Sequence, residues 1–212
     1  MNSRSAAPSK GGANFPDMKP KAVVFDLGKV LVDFDYSIAA RRLGVAPDAL
    51  SFNMPLLIEF ELGRMDTAAF HTKLSREIGF TGSLDQFVTA FADVFTVIPE
   101  MVTLHTELRR RGVPLFLFSN TNEIAVEHVR RHFPFYQEFD AHILSYEHGA
   151  MKPEPPLYTV VEKLSGKQGA ELLYIDDRPE NIATGRERGW QAICHQHAAE
   201  TTAAVRATGL LD

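Results

Sequence analysis

Short, uninterrupted apolar segments recur along the chain, and segments of helical periodicity lie between most of them. Strands that are buried on both faces are uninterrupted in this way, whereas half-exposed strands alternate apolar and polar residues. The apolar segments therefore predict buried strands. They are residues 22–25, 114–118, 141–144, 172–175 and 191–194.

Helical patterns follow the predicted strands. Residues 99–111 begin with a proline and are followed by Gly112, which is the usual punctuation of a helix. Strands that alternate with helices indicate an α/β fold, in which helices cover both faces of a parallel sheet. The other helices are predicted at residues 122–132, 156–164, 179–187 and 198–207.

The interval between the first two predicted strands has a different pattern. It contains helical segments and no segment typical of a strand, so we predict a small helical cap at residues 35–98. The cap is inserted into a sheet domain formed by residues 19–34 and 99–212. Residues 1–18 are small, polar and lack an apolar stretch, which predicts a flexible leader and not a signal peptide. The cap helices are predicted at residues 36–43, 47–52, 67–78 and 84–95.

Composition narrows the classes of function. The formal net charge of −5 gives no basic surface for nucleic acid. No apolar segment approaches the roughly 20 residues that cross a bilayer, so no membrane role is predicted. The single cysteine, Cys194, excludes an internal disulfide and favours a cytoplasmic location. The oligomeric state is not predicted by any of these features.

Polar side chains follow the predicted strands at their carboxyl ends. Ligands bind at this edge of open parallel sheets, so we expect these side chains to meet in one crevice. Taken singly, each is more often a helix cap or a surface group. They are Asp26 after the first strand, Ser119 and Asn120 after the second, Lys152 after the third, and Asp176 and Asp177 after the fourth.

These residue types suit phosphoryl transfer, which depends on charge neutralisation and positioning. Asp26 can attack phosphorus as a nucleophile and form an aspartyl-phosphate that water then hydrolyses. Asp26 and Asp177 can hold Mg²⁺ together, because this ion prefers oxygen ligands. Lys152 can place positive charge on the transferred group, and Ser119 can hydrogen-bond its oxygens. The combination, in this order along the chain, predicts a phosphohydrolase.

The same residues resemble the motifs of the haloacid dehalogenase-like (HAD) hydrolases, over nearly the whole chain from Lys21 onward. The resemblance implies a Rossmann-like parallel sheet with a small helical cap inserted after the first motif. The motifs are Phe25-Asp26-Leu27-Gly28-Lys29-Val30-Leu31, Phe118-Ser119-Asn120-Thr121, Gly149-x-x-Lys152-Pro153 with Tyr158 downstream, and Asp176-Asp177-x-x-x-Asn181.

The resemblance also implies the role of each residue. Asp26 is the implied nucleophile and a metal ligand, Asp177 is a direct ligand, Asp176 acts through water, and the Gly28 carbonyl completes the protein ligands of Mg²⁺. We therefore predict a magnesium-dependent phosphomonoester hydrolase, acting on a small phosphorylated metabolite such as a sugar phosphate. The implied catalytic residues are Asp26, Ser119 and Lys152, and the implied phosphate-binding residues are Ser119, Asn120 and Lys152.

One position departs from the common pattern. Most phosphatases of this superfamily carry a second aspartate two residues after the nucleophile, as general acid and base. Gly28 stands there in this chain, as it does in a subgroup that resembles sugar-phosphate phosphatases. Asp33, Asp35 or a metal-bound water must then serve, or the leaving group must be fairly acidic, as in anomeric sugar phosphates. A lost acid or base costs roughly 10²–10⁴-fold in rate.

Three other functions stay open on the sequence alone. A 2-haloacid dehalogenase also uses an aspartate nucleophile, but such enzymes typically lack the acidic pair Asp176-Asp177. A phospho-receiver domain presents its acidic pair first and its lysine last, the reverse of the order here. A catalytically impaired binding protein is suggested by Gly28.

The cap is expected to select the substrate, because the sheet domain binds only the phosphoryl group. Its polar segment is a candidate contact for sugar hydroxyls, although a Glu-x-Gly-Arg sequence is also typical of a turn between helices. The candidate residues are Glu59, Glu61, Arg64 and Asp66.

Overall fold

The computed structural model describes residues 18–51 and 53–212, so the predicted leader lies outside the described residues except for Met18. Among the described residues, five parallel strands form one sheet in the order β5-β4-β1-β6-β7, and β2 pairs with β3 in an antiparallel ribbon. The predicted α/β fold is confirmed. The strands named here are β1 (Ala22–Phe25), β2 (Val32–Phe34), β3 (Phe95–Val97), β4 (Leu115–Ser119), β5 (Ala141–Leu144), β6 (Leu172–Asp176) and β7 (Gln191–Cys194).

The helices of the sheet domain lie close to their predicted positions. Proline begins α5, α8 and α9, since a helix needs no N–H group at its first position. The helices are α1 (Tyr36–Leu43), α2 (Pro55–Glu61), α3 (Thr67–Ile78), α4 (Leu84–Ala92), α5 (Pro99–Arg110), α6 (Glu123–His132), α7 (Ser145–His148), α8 (Pro155–Ser165), α9 (Pro179–Glu187) and α10 (Ala198–Ala207).

The central strand β1 is buried on both faces. Val23 and Phe25 pack into one apolar cluster with residues of α5, and Val24 packs into another with Leu157 and Tyr158 of α8. This two-sided burial explains why the strand sequence is uninterrupted. Because β1 lies between β4 and β6, the chain crosses to opposite sides of it, and the carboxyl ends of these strands border the crevice where such sheets bind ligands.

Residues 35–98, which we call the helical insertion, supply most of a separate apolar cluster, which also includes Ile124 of α6. Phe60 of α2 stacks on Phe70 of α3 with 4.3 Å between ring centroids, and Phe87 and Phe91 of α4 extend the cluster. No helix among the described residues is long and apolar enough to cross a membrane.

Three sequence predictions for the insertion were wrong. In the predicted helix at residues 47–52, residues 47–51 are not helical and residue 52 lies outside the described residues; the helix begins instead at Pro55, where Leu57 and Phe60 can both be buried. The insertion was also expected to lack strands and to continue its last helix to residue 95. The chain instead leaves α4 at Ala92 and enters β3, which pairs with β2. Strands of three residues are too short to show an alternating pattern.

Candidate active site

Three carboxylates converge at the carboxyl ends of β1 and β6. Asp26 directly follows β1, Asp176 ends β6, and Asp177 comes next. One oxygen from each lies within 4.8 Å of the other two, and no other group of three potential ligands this close is found in residues 18–51 and 53–212. Ligands on opposite sides of a Mg²⁺ ion are about 4 Å apart, so this all-oxygen cluster fits a small hard cation.

Lys152 connects two of these carboxylates. Its Nζ lies 2.9 Å from Asp26 Oδ1 and 2.6 Å from Asp176 Oδ2, and it donates a third hydrogen bond of 2.9 Å to the Phe118 carbonyl. Only 1% of the side chain is exposed. Burial would lower the pKa of the ammonium, but the two carboxylates outweigh this and raise the pKa above its ordinary value. Lys152 therefore stays positively charged inside the site.

The side chain of Asn120 holds the Lys152 backbone in place. Its Oδ1 accepts a 2.7 Å hydrogen bond from the Lys152 N–H, and its Nδ2 donates to the Lys152 carbonyl at 2.9 Å. This reciprocal pair joins the loop after β4 to the loop before α8. Because both atoms of the side-chain amide bond Lys152, a phosphate contact of Asn120 would have to come from its backbone. This contact stays a prediction.

Ser119 ends β4 and is 2% exposed. Within residues 18–51 and 53–212, its hydroxyl makes only a long hydrogen bond of 3.3 Å to the Asn120 carbonyl, which leaves it available to a ligand. The next turn is fixed by Ser145, whose Oγ accepts from the Thr121 N–H at 2.9 Å and donates to the Thr121 carbonyl at 3.0 Å. Sequence reasoning missed Ser145, because a serine after a buried strand gives no distinctive signal.

Both oxygens of Asp176 are saturated by donors. Oδ1 accepts from the Arg178 N–H at 2.8 Å and from Asn181 Nδ2 at 2.9 Å, while Oδ2 accepts from Lys152 and from the Tyr174 hydroxyl. Burial would raise the pKa of Asp176, but Lys152 and the other donors hold it below its ordinary value. Asp176 is thus kept ionised and positioned. Tyr174 was also missed, although residues two apart on a strand share a face.

The negative charges of Asp26 and Asp177 are less well balanced by neighbouring groups than that of Asp176. Burial raises the pKa of Asp26 to about 8, because the neighbouring charges of Asp176 and Asp177 add to it and outweigh Lys152. Burial and the charge of Asp176 likewise raise the pKa of Asp177. Three carboxylates facing one lysine leave an excess of negative charge, and a divalent cation would neutralise it.

Position 28 has no room for a side chain. A Cβ on Gly28 would lie 2.9 Å from Cε1 of Phe34, whose ring packs against Tyr36 and Phe95. The neighbouring Lys29 is directed to the ribbon, where its ammonium bonds Asp33 and the Phe34 carbonyl. The predicted metal contact of the Gly28 carbonyl is tested by none of these distances and stays a prediction.

Asp33 and Asp35 are poor candidates for the missing proton donor. Asp33 pairs with Lys29, and this hydrogen bond lowers its pKa. Asp35 caps α1 by accepting from the Ser37 N–H at 2.8 Å, and this contact lowers the pKa of Asp35. Both carboxylates are therefore ionised at neutral pH and already occupied.

Three of the four polar residues proposed as contacts for sugar hydroxyls have structural partners. Glu59 and Arg64 form an exposed ion pair of 2.6 Å, and Asp66 caps α3 by accepting from the Ala69 N–H at 2.8 Å. Glu61 is the fourth, and its surroundings belong to the interface between the helical insertion and the sheet domain.

A family model of haloacid dehalogenase-like hydrolases matches residues 20–189. Among curated proteins, the chain is similar to the D-ribitol-5-phosphate phosphatase of Bacteroides thetaiotaomicron. The two are 25% identical over 193 residues, which cover 85% of this chain and 94% of the relative.

Two solved structures show the same fold. A HAD-like family hydrolase from Porphyromonas gingivalis is 30% identical, with a TM-score of 0.73 over 84% of this chain and 91% of that one. A HAD family enzyme from Bacteroides thetaiotaomicron, in complex with magnesium and inorganic phosphate, is 25% identical with a TM-score of 0.73. The match covers 84% of this chain and 94% of that chain.

Proposed function

Because the chain belongs to the haloacid dehalogenase-like hydrolases, we propose that it is a magnesium-dependent phosphatase that hydrolyses phosphomonoesters through an aspartyl-phosphate on Asp26. The observation that carries the proposal is the meeting of three carboxylates and one buried ammonium at the carboxyl ends of β1 and β6. Such a site can hold a divalent cation and a phosphate side by side. The sequence-based assignment to this family is confirmed.

Each residue of the site has its own role in phosphoryl transfer. The Asp26 carboxylate is oriented through Oδ1, which accepts from the Leu27 N–H at 2.7 Å and from Lys152. Asp26 attacks phosphorus, and the bond to the leaving oxygen breaks as the new bond forms. Lys152 and the Ser119 hydroxyl stabilise the charge on the phosphoryl oxygens. Water then attacks the aspartyl-phosphate and releases inorganic phosphate.

The acidic residues of the site would bind the metal ion. Asp26 and Asp177 would bind Mg²⁺ directly and Asp176 through water, because both Asp176 oxygens already have protein donors. The Gly28 carbonyl is the fourth proposed protein ligand. When bound, the ion supplies positive charge to the phosphate and offsets the repulsion among the carboxylates.

The alternative of dehalogenation is disfavoured by the same acidic cluster. Removal of halide from a 2-haloacid needs no divalent cation, and the excess negative charge of the cluster would repel a carboxylate substrate. Chelation by EDTA separates the two activities, since a dehalogenase keeps its activity without metal.

The substrate class we propose is a small polyol or sugar phosphate, selected by residues 35–98 acting as a cap. The similarity to a phosphatase of D-ribitol 5-phosphate supports this class. In the sequence, the helical insertion lies between the two segments of the sheet domain. Most of one apolar cluster comes from its residues, as expected of a cap. The single cysteine keeps the cytoplasm as the proposed location.

Phosphate release with and without Mg²⁺ tests the proposed function. The panel consists of ribitol 5-phosphate, glucose 6-phosphate, glucose 1-phosphate and p-nitrophenyl phosphate. We expect metal-dependent turnover that Asp26→Asn abolishes, while the matched control Asp33→Asn, on the exposed ribbon, keeps it. Turnover in Asp26→Asn, or activity that survives EDTA, would overturn the proposal.

A further inference from the structure

Transfer of the phosphoryl group to Asp26 leaves an oxygen that needs a proton if the leaving group is an alcohol. Gly28 cannot supply this proton, and Phe34 fills the space in which a side chain at position 28 would stand. Asp33 and Asp35 are held ionised by their partners. The donor must therefore reach the site from another element.

Glu61 is held at the interface between the helical insertion and the sheet domain. It is the last residue of α2, and the turn that follows lies directly against α7. A Cβ on Gly63 would come within 2.1 Å of the Tyr146 carbonyl oxygen. Farther along, the Thr67 N–H at the start of α3 donates to Glu123 Oε1 at 2.5 Å. These two contacts fix the segment that carries Glu61 against α6 and α7.

The groups around the Glu61 carboxyl come from both parts of the molecule. Asn122 lies beside it, and the charges of Arg178 and Lys152 act on it from the loops after β6 and β5. From the insertion itself, the Tyr36 phenol of α1 lies within electrostatic reach. The nearest charges on its own segment, Glu59 and Arg64, are paired with each other at the surface. Glu61 therefore lies within electrostatic reach of Lys152.

Asn122 is the buried amide beside Glu61. It is 1% exposed, and its Oδ1 caps α6 by accepting from the Ala125 N–H at 3.1 Å. Its buried Nδ2 meets no acceptor at full hydrogen-bond geometry among the described residues, although it lies near enough to the Glu61 carboxyl to lower the pKa of that group. A buried amide without an acceptor costs about 1–3 kcal/mol, so such groups normally face a ligand or water.

The protonation of Glu61 suits proton transfer. Burial raises its pKa to about 7, although Asn122, Arg178 and Lys152 act in the opposite direction. A carboxyl with a pKa near the working pH is available in both the acid and the base form. The groups that shift the pKa of Glu61 do not include the carboxylates of the metal cluster, whose charges would change when the ion binds.

We propose that Glu61 is the general acid and base of this active site, and that the Asn122 amide binds the leaving group beside it. As Asp26 forms its bond to phosphorus, the bond to the leaving oxygen breaks and that oxygen takes the proton of Glu61, which yields the free alcohol. Glu61 is left ionised. In the second step it accepts a proton from the attacking water, whose oxygen bonds phosphorus as the bond to Asp26 breaks. This inference rests on the proposed function.

The leaving groups that need such a donor are alcohols of high pKa. Esters of primary alcohols on a polyol or a sugar therefore become substrates, and the preference for acidic leaving groups expected from Gly28 weakens. The Asn122 Nδ2 would donate to an oxygen of the same alcohol. Polyol phosphates offer such oxygens next to the ester.

Substitution of Glu61 by glutamine tests the inference, because it keeps the shape and removes the proton. With the primary alkyl phosphate of the panel that is hydrolysed fastest, we expect kcat/KM to fall by roughly 10²–10⁴-fold. With p-nitrophenyl phosphate, whose leaving group needs no proton, we expect kcat/KM to change by about threefold or less, because kcat/KM does not include the later hydrolysis of the aspartyl-phosphate. Glu59→Gln, a matched control two residues earlier on α2, is expected to leave both activities unchanged.

The pH profile of the unmodified protein gives a second measurement that needs no variant. The acid form of Glu61 is lost above a pH of about 7. The kcat/KM of the alkyl phosphate should therefore decline on the alkaline side, and the kcat/KM of p-nitrophenyl phosphate should not show this limb. Glu61→Gln should remove the limb.

The outcomes separate the inference from the proposed function. If Glu61→Gln lowers kcat/KM for both substrates equally, or for neither, Glu61 is not the proton donor. Failure of the unmodified protein to hydrolyse any alkyl phosphate of the panel, while it hydrolyses p-nitrophenyl phosphate, overturns the inference as well. Each of these results leaves the role of Asp26 intact, because that role is tested separately by Asp26→Asn.

Discussion

The Phe34 ring occupies the space above Gly28, so that a Cβ on the glycine would lie 2.9 Å from Phe34 Cε1. An acidic side chain two residues after Asp26 would therefore require the Phe34 ring to move. A change at position 28 alone cannot accommodate it. Phe34 is in turn held by Tyr36 and Phe95, with ring centroids 5.5 and 6.0 Å away. Proton transfer has to be supplied from outside this loop.

An aspartate at position 28 is expected to lower the stability of the folded protein. Gly28→Asp forces Phe34 out of its place, and such overpacking costs about 1–3 kcal/mol of unfolding free energy. The double variant Gly28→Asp with Phe34→Ala has room for the side chain and should be less affected by the added aspartate than Gly28→Asp is. Urea unfolding of the single variants and the double variant measures the coupling. Additive effects would show that the ring and position 28 are independent.

Removal of the buried ammonium is expected to affect both stability and activity. Lys152→Met leaves Asp26 and Asp176 unpaired, and loss of one partner of a buried ion pair costs roughly 3–5 kcal/mol. Mg²⁺ should restore part of this stability, because it replaces the missing charge. Activity should fall by at least about 10²-fold.

Lys21→Met is the matched control for the ammonium. Its ion pair with Glu171 is exposed, with 59% of the lysine side chain accessible, and should contribute little to stability. Equal destabilisation of the two variants, measured by urea unfolding without metal, would contradict the importance of the buried site.

The raised pKa of Asp26 predicts how Mg²⁺ stabilises the protein at different pH. Since the folded-state pKa of about 8 lies above the ordinary value of 3.8, folding retains a proton on Asp26 between these limits. The stability that this group contributes is complete below about pH 4 and is lost as the pH rises through 8. Mg²⁺ binds the ionised form, so its stabilising effect should be larger at pH 8 than at pH 6.

Thermal unfolding with and without Mg²⁺ at these two pH values checks the sign. Asp26→Asn should make the metal-dependent shift in Tm smaller and nearly independent of pH. A larger shift at pH 6 than at pH 8 in the unmodified protein would mean that the site does not exchange a proton for the metal.

The contact between the insertion and the sheet domain can be tested at Gly63. Gly63 and Gly79 both have left-handed backbone, with φ of +66° and +73°, so alanine at either position costs about 1–2 kcal/mol. Only at Gly63 would the new Cβ meet another atom, the Tyr146 carbonyl oxygen; at Gly79 nothing lies within 4 Å. Gly63→Ala should therefore displace Glu61 and lower kcat/KM for alkyl phosphates more than Gly79→Ala does. Equal kinetics would show that this contact does not position Glu61.

The sheet domain was largely predictable from the sequence because its strands are buried on both faces and several of its helices begin with proline. Asp26, Lys152 and Asp177 could also be assigned to one site from the sequence, because they follow parallel strands, which end at the same edge of a sheet. Local pattern could not find the pairing of β2 with β3, since each strand has three residues and its partner lies more than 60 positions away. The same limit applies to Phe34, whose role depends on its three-dimensional distance from Gly28.

The proton donor illustrates what sequence patterns leave out. Glu61 was visible only as one of several charged residues in the insertion, with nothing to separate it from Glu59. Its distinction arises from tertiary placement beside Asn122 and within reach of Lys152, where burial raises its pKa to about 7. Electrostatic environments of this kind are set by packing between distant segments, and they carry no local signature.

The most direct test of the central claim is to trap the phosphorylated protein. Rapid acid quench during turnover with Mg²⁺, followed by peptide mass spectrometry, should find one phosphoryl group as an acyl phosphate on Asp26. Asp26→Asn should carry none, and Glu61→Gln should still be labelled by p-nitrophenyl phosphate. Turnover without any phosphorylated aspartate, or a phosphoryl group on another side chain, would contradict the account.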